Sequence, residues 1–257
     1  MEQTPSQAVV EIKEKIAELE KYLTLLKGSI EKYTAVIVEP RKHKALEFVL
    51  RNVLDNLDER WSIQVFHSSH NKDWIKTILD QKFQNDLSRI SSKCLHFSNL
   101  ESSLEYSQIL ASREFTQLIP TETFLVFQTD SMINPAHKNL IYKFIDYDYV
   151  GAPWPWNHLH VGNGGLSLRK RSTMLKIIDK YGPCTTFEDQ FFSVGCIKIG
   201  AKVPTREEAK EFSIEQIYHP HSFGMHKSWI HQPSRTADLC NQCEGLETLI
   251  RLQSVEA

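Results

Sequence analysis

Asp130 stands directly after the apolar run Phe124-Leu125-Val126-Phe127 and the polar pair Gln128-Thr129. A carboxylate released at the end of a buried strand sits where an α/β sheet collects ligands, and there it can hold a divalent cation against a diphosphate. The same position also suits a turn former or a helix cap. His226 is a second candidate ligand, in Phe223-Gly224-Met225-His226-Lys227-Ser228-Trp229, where Gly224 supplies a hinge and Lys227 a neighbouring positive charge.

Glu188-Asp189 put two carboxylates at the start of an aromatic-rich segment that ends in Phe191-Phe192. They read as caps of a helix N-terminus, or as the source of a base, because activating an acceptor hydroxyl needs a carboxylate within hydrogen-bond reach. Asn163-Gly164-Gly165 lets backbone approach a ligand closely, since glycine needs no room for a Cβ; a tight turn before a strand is the plainer reading. No Gly-Lys-Ser/Thr follows it, so it is not a phosphate-cradling P-loop, and it does not open a helix as a dinucleotide fingerprint does. Trp154 and Trp156, interleaved with Pro153 and Pro155, suit either a hydrophobic core or a flat wall on which a sugar or base stacks.

From Tyr33 onward the chain alternates β and α signals. Strands are expected at Thr34–Val38, Trp61–Phe66, Leu95–Phe97 and Thr123–Phe127. Helices are expected over His43–Leu57, near Trp74–Leu79, over Leu104–Leu118 and over Ser172–Tyr181, with a terminal helix around Leu239–Leu252. This alternation implies an α/β fold with a largely parallel, Rossmann-like sheet. The strand ends then present Glu39-Pro40-Arg41, His67-Ser68-Ser69-His70 and Gln128-Thr129-Asp130-Ser131 to a ligand. Ahead of the sheet, Val9, Ile12, Ile16, Leu19, Leu23, Leu26 and Ile30 alternate spacings of three and four, the seam of a helix of about three heptads. That helix either packs on the main domain or mediates self-association. The expected organisation is an N-terminal helix over 1–32, a catalytic-type domain over 33–232 and a C-terminal helix over 233–257.

Thirty Lys and Arg against 32 Asp and Glu leave a formal charge of −2 over 257 residues, so global charge points to neither nucleic acid nor an anionic membrane. The longest apolar runs are strand-sized and far short of the roughly 18 residues of a membrane span. The N-terminus lacks the basic and apolar regions of a secretory signal, which predicts a cytoplasmic protein. Five cysteines, odd in number and sparse, fit a reducing compartment. Cys240 and Cys243 form a single C-x-x-C pair, read as structural thiols on a helix rather than as a zinc site.

Six segments in order carry a family resemblance: Val36-Ile37-Val38-Glu39-Pro40-Arg41, Phe127-Gln128-Thr129-Asp130-Ser131, Tyr149-Val150-Gly151-Ala152-Pro153-Trp154, Val161 to Arg169 around Asn163-Gly164-Gly165, Glu188-Asp189-Gln190-Phe191-Phe192-Ser193, and Phe223-Gly224-Met225-His226-Lys227. Together they resemble the uncharacterised glycosyltransferase-like domain of large DNA viruses, bacteria and fungi. More distantly, they are similar to inverting GT-A glycosyltransferases of the galactosyltransferase type. The resemblance covers about Tyr33 to Trp229 and implies a GT-A-like mixed sheet flanked by helices. It also implies a nucleotide-sugar donor, usually a UDP-sugar, with Mn²⁺ or Mg²⁺ bridging its diphosphate, and a glycan or other hydroxyl acceptor. A chain of viral source would work in the host cytoplasm.

By the same resemblance, Asp130 matches the last residue of the D-x-D metal motif, with Gln128 in place of its first Asp and Thr129 between them. His226 matches the late histidine ligand. Pro40 and Arg41 match the turn that contacts the nucleotide; Asn163, Gly164 and Gly165 match the segment lining the donor-sugar and acceptor pocket; and Asp189, beside Glu188, matches the catalytic base. Lys227 suits a diphosphate contact by its charge, and Trp154 the stacking wall. The rival functions are a non-catalytic nucleotide- or sugar-binding module on the same fold and a nucleotidyltransferase-type enzyme. The N-terminal seam permits a homodimer or contact with neighbouring domains.

Overall fold

The structure is a computed structural model and describes residues 12–13, 15–16, 18–19, 32–95, 97, 100, 102–156 and 162–253. The chain forms two compact units, Met1–Lys32 and Tyr33–Ala257. In the first, Ile12, Ile16 and Leu19 of the expected seam are helical with exposed side chains; the seam's other apolar residues lie outside the described set.

Among its described residues the second unit carries nine strands: β1 (Tyr33–Val38), β2 (Trp61–His67), β3 (Ile90–Cys94), β4 (Thr123–Phe127), β5 (Ser131–Ile133), β6 (Tyr149–Gly151), β7 (Leu166–Lys170), β8 (Ser213–Ile214) and β9 (Gly224–His226). Six of them form one mixed sheet in the order β3-β2-β1-β4-β7-β6. The first four are parallel, whereas β7 runs antiparallel to β4 and β6. Every residue of β1 is buried, because the sheet is covered on both faces: Ala35 and Ile37 enter one core, Val36 and Val38 the other. A strand so placed shows a continuous apolar run rather than alternation.

The helices that cover the sheet are amphipathic. On one face, α1 (Leu46–Asn56) buries Leu46, Val49, Leu50, Val53 and Leu54, and α2 (Lys72–Lys82) buries Ile75 and Leu79. On the other lie α3 (Ser103–Leu110), α4 (Arg113–Leu118), α5 (Arg171–Tyr181) and α6 (Glu188–Ile199), which contribute Leu110, Phe115, Met174, Ile177, Phe192 and Cys196. A short helix, α7 (Arg206–Phe212), leads into β8 and starts with a capping box in which Thr205 and Glu208 satisfy each other's backbone N–H.

Three expected elements are corrected. The third strand is Ile90–Cys94 rather than Leu95–Phe97; as an edge strand it exposes Ser91, Ser92 and Lys93, so its sequence looks polar. The helix expected over Leu104–Leu118 breaks into α3 and α4, where the Ser112 hydroxyl accepts from the Phe115 N–H at 3.1 Å and starts a new helix. The terminal helix is two, α8 (Thr236–Gln242) and α9 (Leu246–Gln253), separated at Gly245 with φ of 90°. Leu239, Cys243, Leu246 and Leu249 on this segment belong to the core that receives Ala35 and Ile37, and Cys243 is fully buried there as a free thiol. Among the described residues, no helix is long and apolar enough to cross a membrane.

β5, β9 and β8 make a second, three-stranded sheet, with β5 and β9 antiparallel. It is small, but its register builds the site.

Candidate functional site

At the end of β4 the chain turns sharply. The Gln128 N–H donates to the Ser131 hydroxyl at 2.9 Å, and that hydroxyl donates back to the Gln128 carbonyl at 2.9 Å. Asp130 projects from this turn. The next residue, Ser131, pairs with His226 in the β5–β9 ladder, so Asp130 and His226 become neighbours although they are distant in sequence. Their facing atoms, Oδ1 and Nε2, lie 3.3 Å apart. On the other side of the carboxylate, Lys227 Nζ lies 3.2 Å from Oδ2, and the Lys227 N–H donates to the Asp130 carbonyl at 3.0 Å. Lys227 holds a left-handed backbone at φ of 47°, a conformation costly for a residue with a Cβ and found preferentially at functional sites.

These residues border a cavity of about 470 Å³ at the strand ends. Pro40, Arg41, Gln128, Thr129, Asp130, Asn163, Gly164, Gly165, Glu188, Asp189, His226 and Lys227 all line it. Trp154 does not. It is buried, stacks on the exposed Trp156 with ring centroids 6.2 Å apart, and covers Gly162, where a Cβ would come within 3.1 Å of its ring. The wall reading of Trp154 is therefore replaced by packing.

The glycines of the turn answer to specific neighbours. A Cβ on Gly164 would strike Glu188 Oε1, and one on Gly165 would strike His226 Nε2. Asn163 sets the turn: its Oδ1 accepts from the Gly165 N–H at 2.7 Å, and its Nδ2 donates at 2.7 Å to Glu215.

The two carboxylates of the Glu188-Asp189 pair have separate duties. Glu188 is ion-paired with the fully buried Arg169 at 2.9 Å, and Arg169 also donates from Nε to Ser167 Oγ at 2.9 Å and sits between the rings of Tyr149 and Phe192. Glu188 is thus a fixed counter-ion, which corrects its candidacy as a free base. Asp189 has no such cation. Burial, and then the charge of Glu188, push its carboxyl up to about 6, against partial relief from the Gln190 and Gly164 backbone and from Arg169. The Gln190 N–H in the first turn of α6 donates to Asp189 Oδ1 at 2.7 Å, so Asp189 also satisfies one of the helix's free N-terminal donors.

Arg41 lines the cavity but is already engaged. Its Nε and Nη2 reach both oxygens of the buried Glu39 at 2.9 Å, which raises its pKa further. Asn71 ties the turn below, donating from Nδ2 to the carbonyls of Glu39 and Arg41 at 2.8 and 2.9 Å. Gln128 donates to the Tyr106 hydroxyl at 3.1 Å, and Thr129 to Glu39 at 3.3 Å. Gln128 therefore lies in the wall facing Tyr106.

Two charges concentrate at Asp130 and His226. Burial alone would raise the Asp130 carboxyl, but His226 and Lys227 hold it below the usual carboxylate range. Burial alone would lower His226, yet the Asp130 and Glu215 carboxylates push it up to about 9. The two carboxylates thus favour positive charge at His226. Asp130 Oδ1 and His226 Nε2 are also buried atoms without a well-aligned hydrogen bond, and such atoms call for a partner. One carboxylate oxygen and one imidazole nitrogen fit a divalent cation of the Mn²⁺ or Mg²⁺ kind that completes its shell with water and phosphate oxygens. Among the described residues, no three His, Cys, Asp or Glu side chains converge as a ready cage.

Tyr106 and Glu215 are not among the sequence candidates, and Glu39 and Arg169 are named there only as members of strand-end and motif segments. A charge at Arg169, inside the strand Leu166–Lys170, is the kind of signal that demands a buried partner. Glu215 follows a two-residue strand, too short for any periodicity to mark it.

Residues 89–226 match the model of a family described as a protein of unknown function, DUF5672. No curated protein matches the chain. Among solved structures, the apo-form glycosyltransferase GlyE of Streptococcus pneumoniae TIGR4 is similar at 12% identity and a TM-score of 0.52, covering 88% of this chain and 61% of that one. The mannosyltransferase PcManGT of Pyrobaculum calidifontis, solved with GDP-Man and Mn²⁺, gives 12% identity and a TM-score of 0.49, covering 69% and 55%. The chain thus spans 55–61% of the length of these two proteins. The likeness to GlyE shows the fold alone: this chain has the α/β fold seen in that glycosyltransferase.

Proposed function

The chain belongs to the DUF5672 family of proteins of unknown function, and from the site it folds around we propose that it is a metal-dependent glycosyltransferase that moves a sugar from a nucleotide-sugar donor to an acceptor hydroxyl. One observation carries this reading: the Asp130–His226 pair, which asks for a cation, and Asp189, a carboxyl poised near neutrality, line the same cavity. Donor activation and acceptor activation need those two functions in one space.

Asp130 and His226 would hold a Mn²⁺ or Mg²⁺, which would supply positive charge against the negative charge developing on the departing nucleoside diphosphate. Lys227 adds a second positive charge beside Asp130. Asp189 accepts the proton of the acceptor hydroxyl as its oxygen attacks the anomeric carbon; the bond to the diphosphate breaks on the opposite side, so configuration inverts. Arg169 keeps Glu188 paired, so that Asp189 alone takes the proton. The Asn163-Gly164-Gly165 turn gives the sugar a close backbone surface. Pro40, Arg41 and Thr129 border the nucleotide end, and the resemblance of these segments to galactosyltransferase-type enzymes favours a UDP-sugar.

The non-catalytic binding module is the second reading, favoured by the engagement of Gln128 with Tyr106 and of Arg41 with Glu39. The two are separated by incubating the protein with UDP- and GDP-sugars, Mn²⁺ and a panel of hydroxyl acceptors. Free nucleoside diphosphate and a glycosylated product, both lost in Asp189→Asn, support the transferase. Donor binding without turnover supports the module, and release of inorganic pyrophosphate identifies a nucleotidyltransferase.

A further inference from the structure

Glu215 carries no motif, yet two of the motif segments, through Asn163 and His226, meet on it. Its side chain is 4% exposed. One oxygen, Oε1, accepts from Asn163 Nδ2 at 2.7 Å and meets His226 Nδ1 at 3.1 Å, with His231 Nε2 at 3.7 Å. The Glu215 carbonyl accepts from Gln232 Nε2 at 2.7 Å, which pins the backbone that carries the side chain. Among the described residues the other oxygen, Oε2, is buried without a hydrogen-bond partner, and Asp130 Oδ1 and His226 Nε2 have only their mutual contact at 3.3 Å. A buried carboxylate oxygen left unsatisfied beside that contact calls for an explanation.

A carboxylate oxygen only accepts, so the hydrogen of this contact belongs to His226 Nδ1, and Nε2 turns its other face toward Asp130. We propose that Glu215 is the positioning residue of the cation centre: it aims His226 Nε2 into the space beside Asp130 Oδ1 and, through the same oxygen, joins that histidine to the Asn163-Gly164-Gly165 turn. A carboxylate behind a ligating histidine fixes the ring and raises its donor strength, and its removal commonly costs about 10–100-fold in metal affinity. Here the shared oxygen does more. Any shift of His226 toward a cation is felt at Asn163, whose Oδ1 holds the Gly165 N–H. The cation half and the turn half of the cavity are thereby coupled. This inference rests on the proposed cation site and not on the identity of the transferred sugar.

The test uses the full chain and Mn²⁺ alone, with free Mn²⁺ followed by its electron paramagnetic resonance signal. Wild type binds one ion and Asp130→Ala does not. Glu215→Ala binds about 10–100-fold more weakly, and Glu215→Gln, which keeps an oxygen at the same reach, recovers part of that loss. In parallel, Mg²⁺ moves the Gly164 and Gly165 amide resonances of wild type, and at saturating Mg²⁺ this response is absent in Glu215→Ala. Wild-type Mn²⁺ affinity in both Glu215 variants, alongside a defective Asp130→Ala, overturns the inference while leaving the cation site standing. No Mn²⁺ binding by wild type removes the cation site and this inference together. Melting curves of both variants establish that they are folded.

Discussion

Asp130 Oδ1 and His226 Nε2 face each other at 3.3 Å because the next residue along the chain from Asp130 is the ladder partner of His226. The relationship is made by backbone register, not by side-chain reach, so a one-residue slip of β9 would turn His226 to the opposite face. The small β5–β9–β8 sheet has this register as its functional content.

Removing either member of the pair should remove the cation effect without unfolding the protein. Asp130→Ala and His226→Ala are expected to lose the Mn²⁺-dependent rise in melting temperature given by a nucleotide sugar. Wild type should gain about 2.7 kcal/mol at a hundredfold excess of ligand over Kd. Differential scanning fluorimetry with and without Mn²⁺ reads this. An unchanged Mn²⁺-dependent shift in Asp130→Ala would sink the assignment.

Under the proposed transferase reading, Asp189 should set the acid limb of activity. With its carboxyl at about 6, turnover should fall about tenfold per unit below that pH as the base becomes protonated. Asp189→Asn should cost about 10²–10⁴-fold. In Glu188→Gln the neighbouring negative charge is gone, so the inflection should move to lower pH. A pH–rate profile of the three proteins decides it.

The same carboxyl has a stability signature of opposite sign to most acids. Its folded pKa lies above the ordinary 3.8, so the folded state binds the proton more tightly. The stabilisation is complete below 3.8, shrinks as pH rises toward about 6, and is lost above that. At pH 7 Asp189→Asn should therefore be more stable than wild type, by about 1–3 kcal/mol. Urea unfolding at pH 4 and pH 7 measures the difference, which should nearly vanish at the lower pH.

Arg169 and Glu188 are both buried and bonded at 2.9 Å. Breaking the pair from one side, as in Arg169→Met, leaves an uncompensated buried charge and should cost about 3–5 kcal/mol. The double variant Arg169→Met/Glu188→Leu should cost less than Arg169→Met alone. Equal losses in the two would show that the pair contributes only packing.

Gly165→Ala isolates geometry from chemistry. Its new methyl strikes His226 Nε2, so cation-dependent stabilisation should be lost while the far-UV circular dichroism of the α/β fold stays as in wild type. Retained Mn²⁺ response would mean that His226 moves aside freely.

Much of this fold is written locally. Each buried parallel strand advertises itself as an apolar run, and the helices between them carry stripes at helical spacing, which is why β1, β2, β4, α1 and α5 were legible to within a few residues. β3 was misplaced because an edge strand with Ser91, Ser92 and Lys93 exposed has no apolar pattern. The breaks at Ser112 and Gly245 were missed because a single cap or a left-handed glycine interrupts a helix without disturbing its apolar stripe.

The site divides the same way. Sequence alone determined which residue types were available for chemistry, and the candidates on the Pro40–Arg41, Gln128–Asp130, Asn163–Gly165, Glu188–Asp189 and His226–Lys227 segments share one cavity, whereas Trp154, Trp156 and the strand end His67–His70 are not in its lining. Only the tertiary structure decided their roles. It paired Glu188 with Arg169 and left Asp189 to titrate, engaged Arg41 with Glu39, and made Glu215 the hub between His226 and Asn163. The reason is physical: a side chain's type and its strand-end position are local properties, whereas its charge state and partners depend on burial and on atoms from distant segments within about 4 Å.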